Sequence, residues 1–179
     1  MKKITAYIMA LLMLLTVCGC SKRSDQSVLD IVCEKQSRDE VHRTIGKTKA
    51  SEEDSDYDYY EDFDFCGVRG NLFVSYFSDE KVRSVSFGYH YYDKVFYIPN
   101  EEEISKATEY RDTILRFITE RYGEPEILYF KDSRTTSYMW NWKNLDDASP
   151  IDYMWIRWDP YNNLLFGPID FSITGKRDG

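Results

Sequence analysis

Residues 55–65 read SDYDYYEDFDF, with acids and aromatic rings almost alternating. Three structures compete for such a stretch: a calcium loop, a disordered acidic tract, or a strand. An EF-hand loop beginning at Asp54 would place Asp56 and Asp58 at its third and fifth positions. Its sixth position then holds Tyr59 where the sharp turn demands Gly, and its twelfth holds Phe65 where a bidentate Glu is needed. Disorder throughout is disfavoured, because Tyr57, Tyr59, Tyr60, Phe63 and Phe65 are too many aromatics for a chain that buries nothing. Period two remains. Tyr57, Tyr59, Phe63 and Phe65 stand against Asp56, Asp58, Asp62 and Asp64, and the phase breaks at Tyr60 and Glu61. The expectation is a disordered acidic lead-in after Lys49 that runs into an irregular strand, bent or bulged at Tyr60 and Glu61. Its acids would form a solvated row that resists edge-to-edge pairing.

The strand has company on both sides. Downstream, Asn71 to Phe77 and Val82 to Tyr92 flank SDEK, a four-residue hairpin turn. Val85, Phe87, Tyr89 and Tyr91 share one face of the second arm, and Ser84, Ser86, His90 and Tyr92 the other. Upstream, SRDE at 37–40 is a capping box, Ser37 at the N-cap and Glu40 three residues on. Val41 and Ile45 then lie on one helical face and Gly46 stops the helix. VLDIVC, 28–33, predicts a separate turn of helix on the same core.

The pattern then recurs. Asn100 caps a long helix, with Glu101, Glu102 and Glu103 at the positive end of its dipole. Ile104, Ala107, Ile114, Leu115, Ile118 and Tyr122 make its apolar face, and Gly123 and Pro125 end it. EILYFK (126–131), SYMWNW (137–142), YMWIRW (153–158) and residues 169–174 follow as strands. In them Tyr138, Trp140 and Trp142 point one way. Met154, Ile156 and Trp158 oppose Tyr153, Trp155 and Arg157, and Ile169, Phe171 and Ile173 alternate with Asp170, Ser172 and Thr174. The predicted class is α+β, in two helix-then-antiparallel-hairpin halves, 28–92 and 99–175.

Residues 1–19 read as a signal peptide. Lys2 and Lys3 precede the uncharged run from Ile4 to Val17, whose 14 residues are too few to span a bilayer. VCGC, 17–20, resembles a bacterial lipobox, with Val17, Cys18 and Gly19 before the acceptor Cys20. That resemblance implies diacylglyceryl modification of Cys20, further acylation such as palmitate, and cleavage before it. Each buried methylene adds about 0.8 kcal/mol, so several chains make a durable anchor. Residues 20–27 are then the lipidated cysteine and a polar tether. The resemblance implies a lipid-anchored cell-envelope protein. Ser21 rather than Asp after Cys20 points to the outer membrane by analogy with Gram-negative sorting.

The full chain has 23 basic and 31 acidic residues, a balance of −8; without Lys2 and Lys3 it is 21 against 31, or −10. That argues against nucleic acid and against attraction to anionic lipid headgroups. With Cys18 removed and Cys20 acylated, Cys33 and Cys66 remain in an oxidising compartment. A disulfide between them is the expectation and two buried free thiols the alternative.

SRDEVHRTIGK, the acidic aromatic strand and GNLFVSYFSDEKVRSVSF together resemble the small outer-membrane-assembly lipoproteins of the SmpA/OmlA (BamE) family. Those carry a short helix followed by a three-stranded sheet. A doubled unit of that kind resembles the β-lactamase inhibitor protein (BLIP) layout. The family's usual Pro after the helix-ending Gly is here Lys47. The resemblance implies a lipid-tethered binding module whose partner is another envelope protein. It transfers no contact residue.

Little points to catalysis. His42 and His90 have no second-ligand spacing around them, and no metal or other cofactor is implied. There is no nucleophile elbow, no phosphate-binding loop and no Cys–His constellation, so no catalytic residue is assigned. The remaining signal is Tyr153, Trp155 and Arg157, hot-spot residue types in one row opposite an apolar row. They are the candidate partner-binding residues, with a half-covered sheet face as the plainer reading. An envelope hydrolase or glycan-binding lipoprotein using acidic and aromatic residues is the alternative function.

Overall fold

The structure, a computed structural model, describes residues 28–46, 50–91, 98–131, 133–141, 143, 145–146, 148–161 and 167–176. The signal sequence, Cys20, the tether, Lys47, Tyr92 and Trp142 lie outside the described residues.

Helix α1 covers residues 28–33 and α2 runs Arg38–Ile45. Glu40 Oε2 accepts hydrogen bonds from both the Ser37 amide and the Ser37 hydroxyl, each at 2.7 Å. Gly46, in the left-handed region at φ 74°, closes the helix with its amide turned back on the last carbonyls. Helix α3 is Glu101–Tyr122, and Asn100 caps it by accepting from the Glu103 amide at 3.0 Å. Among the described residues no helix is long and apolar enough to cross a membrane.

The strands are β1 Glu52–Glu53, β2 Tyr57–Phe65, β3 Val68–Tyr76, β4 Val82–Tyr89, β5 Glu126–Phe130, β6 Thr135–Trp140, β7 Ile151–Trp158 and β8 Ile169–Gly175. They form one antiparallel sheet in the order β1-β2-β3-β4-β8-β7-β6-β5. Strands from residues 52–89 thus fill one side and strands from 126–175 the other, and they meet where β4 pairs with β8. The α+β class stands.

Two readings of the acidic tract are corrected. The lead-in is not structureless, since Glu52 and Glu53 pair with Tyr59 and Asp58 as an edge strand. Nor are its acids all solvated, because Asp58 is completely buried. The bend lies where expected, as a register shift between Tyr60 and Phe63 with Asp62 at φ 53°. Across it the phase flips. Tyr57 and Tyr59 point away from the helices, whereas Tyr60, Phe63 and Phe65 are buried.

The core lies between the helices and one sheet face. Phe65 is its centre, with ring centroids 5.4 Å from Phe87, 5.8 Å from Phe117 of α3 and 5.4 Å from Phe171. Such ring pairs contribute about 0.5–1.5 kcal/mol each beyond the area they bury. Met154, Ile156 and Trp158 belong to this face and are buried, as alternation predicts. Trp140 joins them and donates its indole N–H to the Gly123 carbonyl at 2.7 Å, fixing the end of α3 to β6. At Gly70 a Cβ would lie 2.3 Å from the Gly88 carbonyl oxygen, so only glycine lets the backbones approach there.

The expected Cys33–Cys66 disulfide is absent. No bond joins the two sulfurs in this structure. Cys33, on α1, takes a hydrogen bond from the Tyr122 hydroxyl at the end of α3, and burial pushes its thiol pKa up. Cys66 sits in the β2–β3 turn at φ 57°. The turn and the Tyr122 contact give each thiol a separate setting.

Candidate functional site

The face turned away from the helices carries the candidate residues, and cross-strand register orders them. One row runs through all eight strands: Glu52, Tyr59, Phe73, Ser86, Ser172, Trp155, Met139 and Glu126. A parallel row is Tyr57, Ser75, Ser84, Thr174 and Tyr153. In each, small hydroxyl residues occupy the middle strands and aromatics flank them. The hydroxyls bond to one another. Ser86 donates to Ser172 at 3.0 Å, and the Ser75 and Ser84 oxygens are 2.7 Å apart. This satisfies the polar atoms within the sheet and leaves a low floor between taller aromatic walls.

The predicted trio lies on this face. Tyr153 is 40% exposed, and Trp155 is half-buried. Arg157 is held inward: its Nη2 is 3.4 Å from Asp170 Oδ2, and its guanidinium carbon is 5.9 Å from the Trp155 ring centroid. Asp170 itself is buried on β8, and burial raises its carboxyl to about 7 against the pull of Arg157. Arg157 therefore braces Trp155 and compensates Asp170.

Alternation alone did not single out the opposite wall. Tyr57 and Phe73 stack there with centroids 5.0 Å apart and planes 21° from parallel. With Glu52, Tyr59, Asn71, Ser86, Gly88 and His90 they line a cavity of about 400 Å³. The signal was present in the hairpin pattern, since Phe73 falls out of phase with the buried Leu72 and Val74.

His42 serves the core. It lies 3.2 Å from Asp58 Oδ2 beneath α2. His90 lines the cavity. Among the described residues no group of three or more His, Cys, Asp or Glu could hold a metal ion.

The residues thus define an α+β protein with one sheet face under helices and the other patterned with aromatics and hydroxyls. No protein-family model matches the chain and no curated protein matches it. Among solved structures it is similar to a DUF4309 family protein (YjgB) from Bacillus subtilis subsp. subtilis str. 168, at 10% identity, 87% coverage of this chain, 97% of that one and a TM-score of 0.39.

Proposed function

We propose that this chain is a lipid-anchored, non-enzymatic protein of the cell envelope that binds another envelope protein through the face of its sheet turned away from the described helices. The observation that carries the reading is the row from Glu52 to Glu126 across eight strands, in which exposed Phe73 and half-buried Tyr59 and Trp155 flank a hydroxyl floor. Aromatic side chains left out of a core that already buries 28 hydrophobic residues among the described ones are the usual anchors of a protein interface. The strand order, with each helix-and-hairpin stretch filling one side of the sheet, is compatible with a doubled, BLIP-like layout. The anchor rests on VCGC and its acceptor Cys20, which would be sorted to the outer membrane in a Gram-negative cell.

Cys20→Ala tests the anchor. With a clickable fatty acid in the medium, the native protein should take label and sediment with membranes. The variant should lose the label and either leave the membrane or persist as precursor. A variant that still takes label and fractionates with membrane sinks the assignment.

A further inference from the structure

We infer that the cavity on the β1–β4 side of the open face is a receptor for one basic side chain, an arginine or lysine, of the bound protein. The inference rests on the reading that this face binds a protein, and it names the chemistry of the contact. The cavity, about 400 Å³, is walled by the rings of Tyr57, Tyr59 and Phe73 and bounded by the carboxylate of Glu52. Tyr57 donates its hydroxyl hydrogen bond to Glu52 Oε1 at 2.9 Å, which fixes the acid beside the rings. That bond also raises the tyrosine pKa, so the phenol stays neutral and remains a donor to the acid. Gly88 and Ser86 keep the floor low.

Ring faces carry negative potential and a carboxylate carries negative charge, so both select a cation. Glu53, Asp54, Asp56 and Glu61 are exposed on the same two strands and their connection, which makes this edge of the sheet acidic. The chain's balance of −8 points the same way. An anionic group would be repelled there. A purely apolar one would strip water from Glu52 and Asn71 without replacing their hydrogen bonds. A guanidinium can stack on the rings while its edge donates to the acid.

The test needs no partner. Nα-acetylarginine methylamide is titrated into the full chain and followed by amide NMR shifts, beside its neutral isostere, the citrulline derivative. Saturable shifts should cluster on Tyr57, Tyr59, Phe73 and Gly88. The citrulline derivative should bind about tenfold more weakly, and Glu52→Gln and Phe73→Leu should each weaken arginine binding roughly fivefold or more with the fold intact. Higher salt should weaken it further. Equal binding of the two derivatives, indifference to Glu52→Gln, shifts elsewhere, or no saturable shift would each overturn the inference. Any of these leaves the protein-binding face to be judged separately by crosslinking to the partner.

Discussion

Asp58 and Tyr76, on neighbouring strands, meet under helix α2: the tyrosine hydroxyl donates to Asp58 Oδ2 at 2.6 Å. Asp58 is fully buried, yet His42 lies 3.2 Å from the same oxygen and Arg38 Nε lies 3.4 Å from Oδ1. Arg38 also stacks over the Tyr76 ring at 4.6 Å and donates to the Asp54 carbonyl at 2.6 Å. One carboxylate thus ties α2, β2 and β3 together. Burial and the neighbouring carboxylate push the Tyr60 and Tyr76 phenols well above the usual tyrosine range, so both keep their protons.

Removing that carboxylate should be costly. Asp58→Ala leaves the arginine and two hydroxyls facing a void, and breaking a buried pair costs about 3–5 kcal/mol. Tyr76→Phe removes one bond to a charged acceptor and should cost about 1.5–3 kcal/mol. Urea denaturation of both variants checks this. A loss under about 1 kcal/mol for Asp58→Ala would show that the cluster contributes little.

The two tryptophans of β7 should behave oppositely. Trp158 is 7% exposed, lies on the core face and has the Arg111 guanidinium 4.9 Å from its ring centroid. Trp158→Ala should destabilise by about 3–5 kcal/mol. Trp155, on the other face, should cost roughly 1 kcal/mol or less as Trp155→Ala. Chemical denaturation ranks them, and the reverse order would contradict the register of β7.

Asp170 makes a pH-dependent prediction. Its folded carboxyl sits at about 7, raised by burial from 3.8. The folded state therefore holds this proton more tightly than the unfolded chain does. Its contribution is fully present below about pH 4 and is lost as pH rises through 7, a total of at most about 4 kcal/mol. Asp170→Asn should abolish that decline. The measurement is denaturant stability of both proteins at several pH values across this window. Parallel curves would show that Asp170 is ordinary.

Local signals were the legible part. Ser37, Glu40 and Gly46 bound one helix, and Asn100 and Gly123 bound the other, as capping chemistry requires. Alternation placed Tyr153, Trp155 and Arg157 opposite Met154, Ile156 and Trp158. Long-range partners were not legible. Asp58 looks like any acid of its run until Tyr76, 18 residues on, and His42, 16 residues back, close over it. The insertion of β8 between β4 and β7 joins Ser86 to Ser172 across 86 residues, and no local pattern encodes that pairing. Arg157 looked like a free anchor because its partner Asp170 sits on another strand. Cysteine counting likewise paired Cys33 with Cys66 without knowledge of the Tyr122 hydroxyl beside Cys33.

Site-directed photocrosslinking in intact cells tests the proposed binding face most directly. p-Benzoylphenylalanine replaces Phe73 or Tyr153 on the open face, and Glu109 or Glu120, both exposed on α3, as controls. The two sheet positions should capture the same envelope protein, and the two helix positions should not. Capture from α3 with none from Phe73 or Tyr153, or no capture from either sheet position, would contradict the claim that this face is where the protein binds.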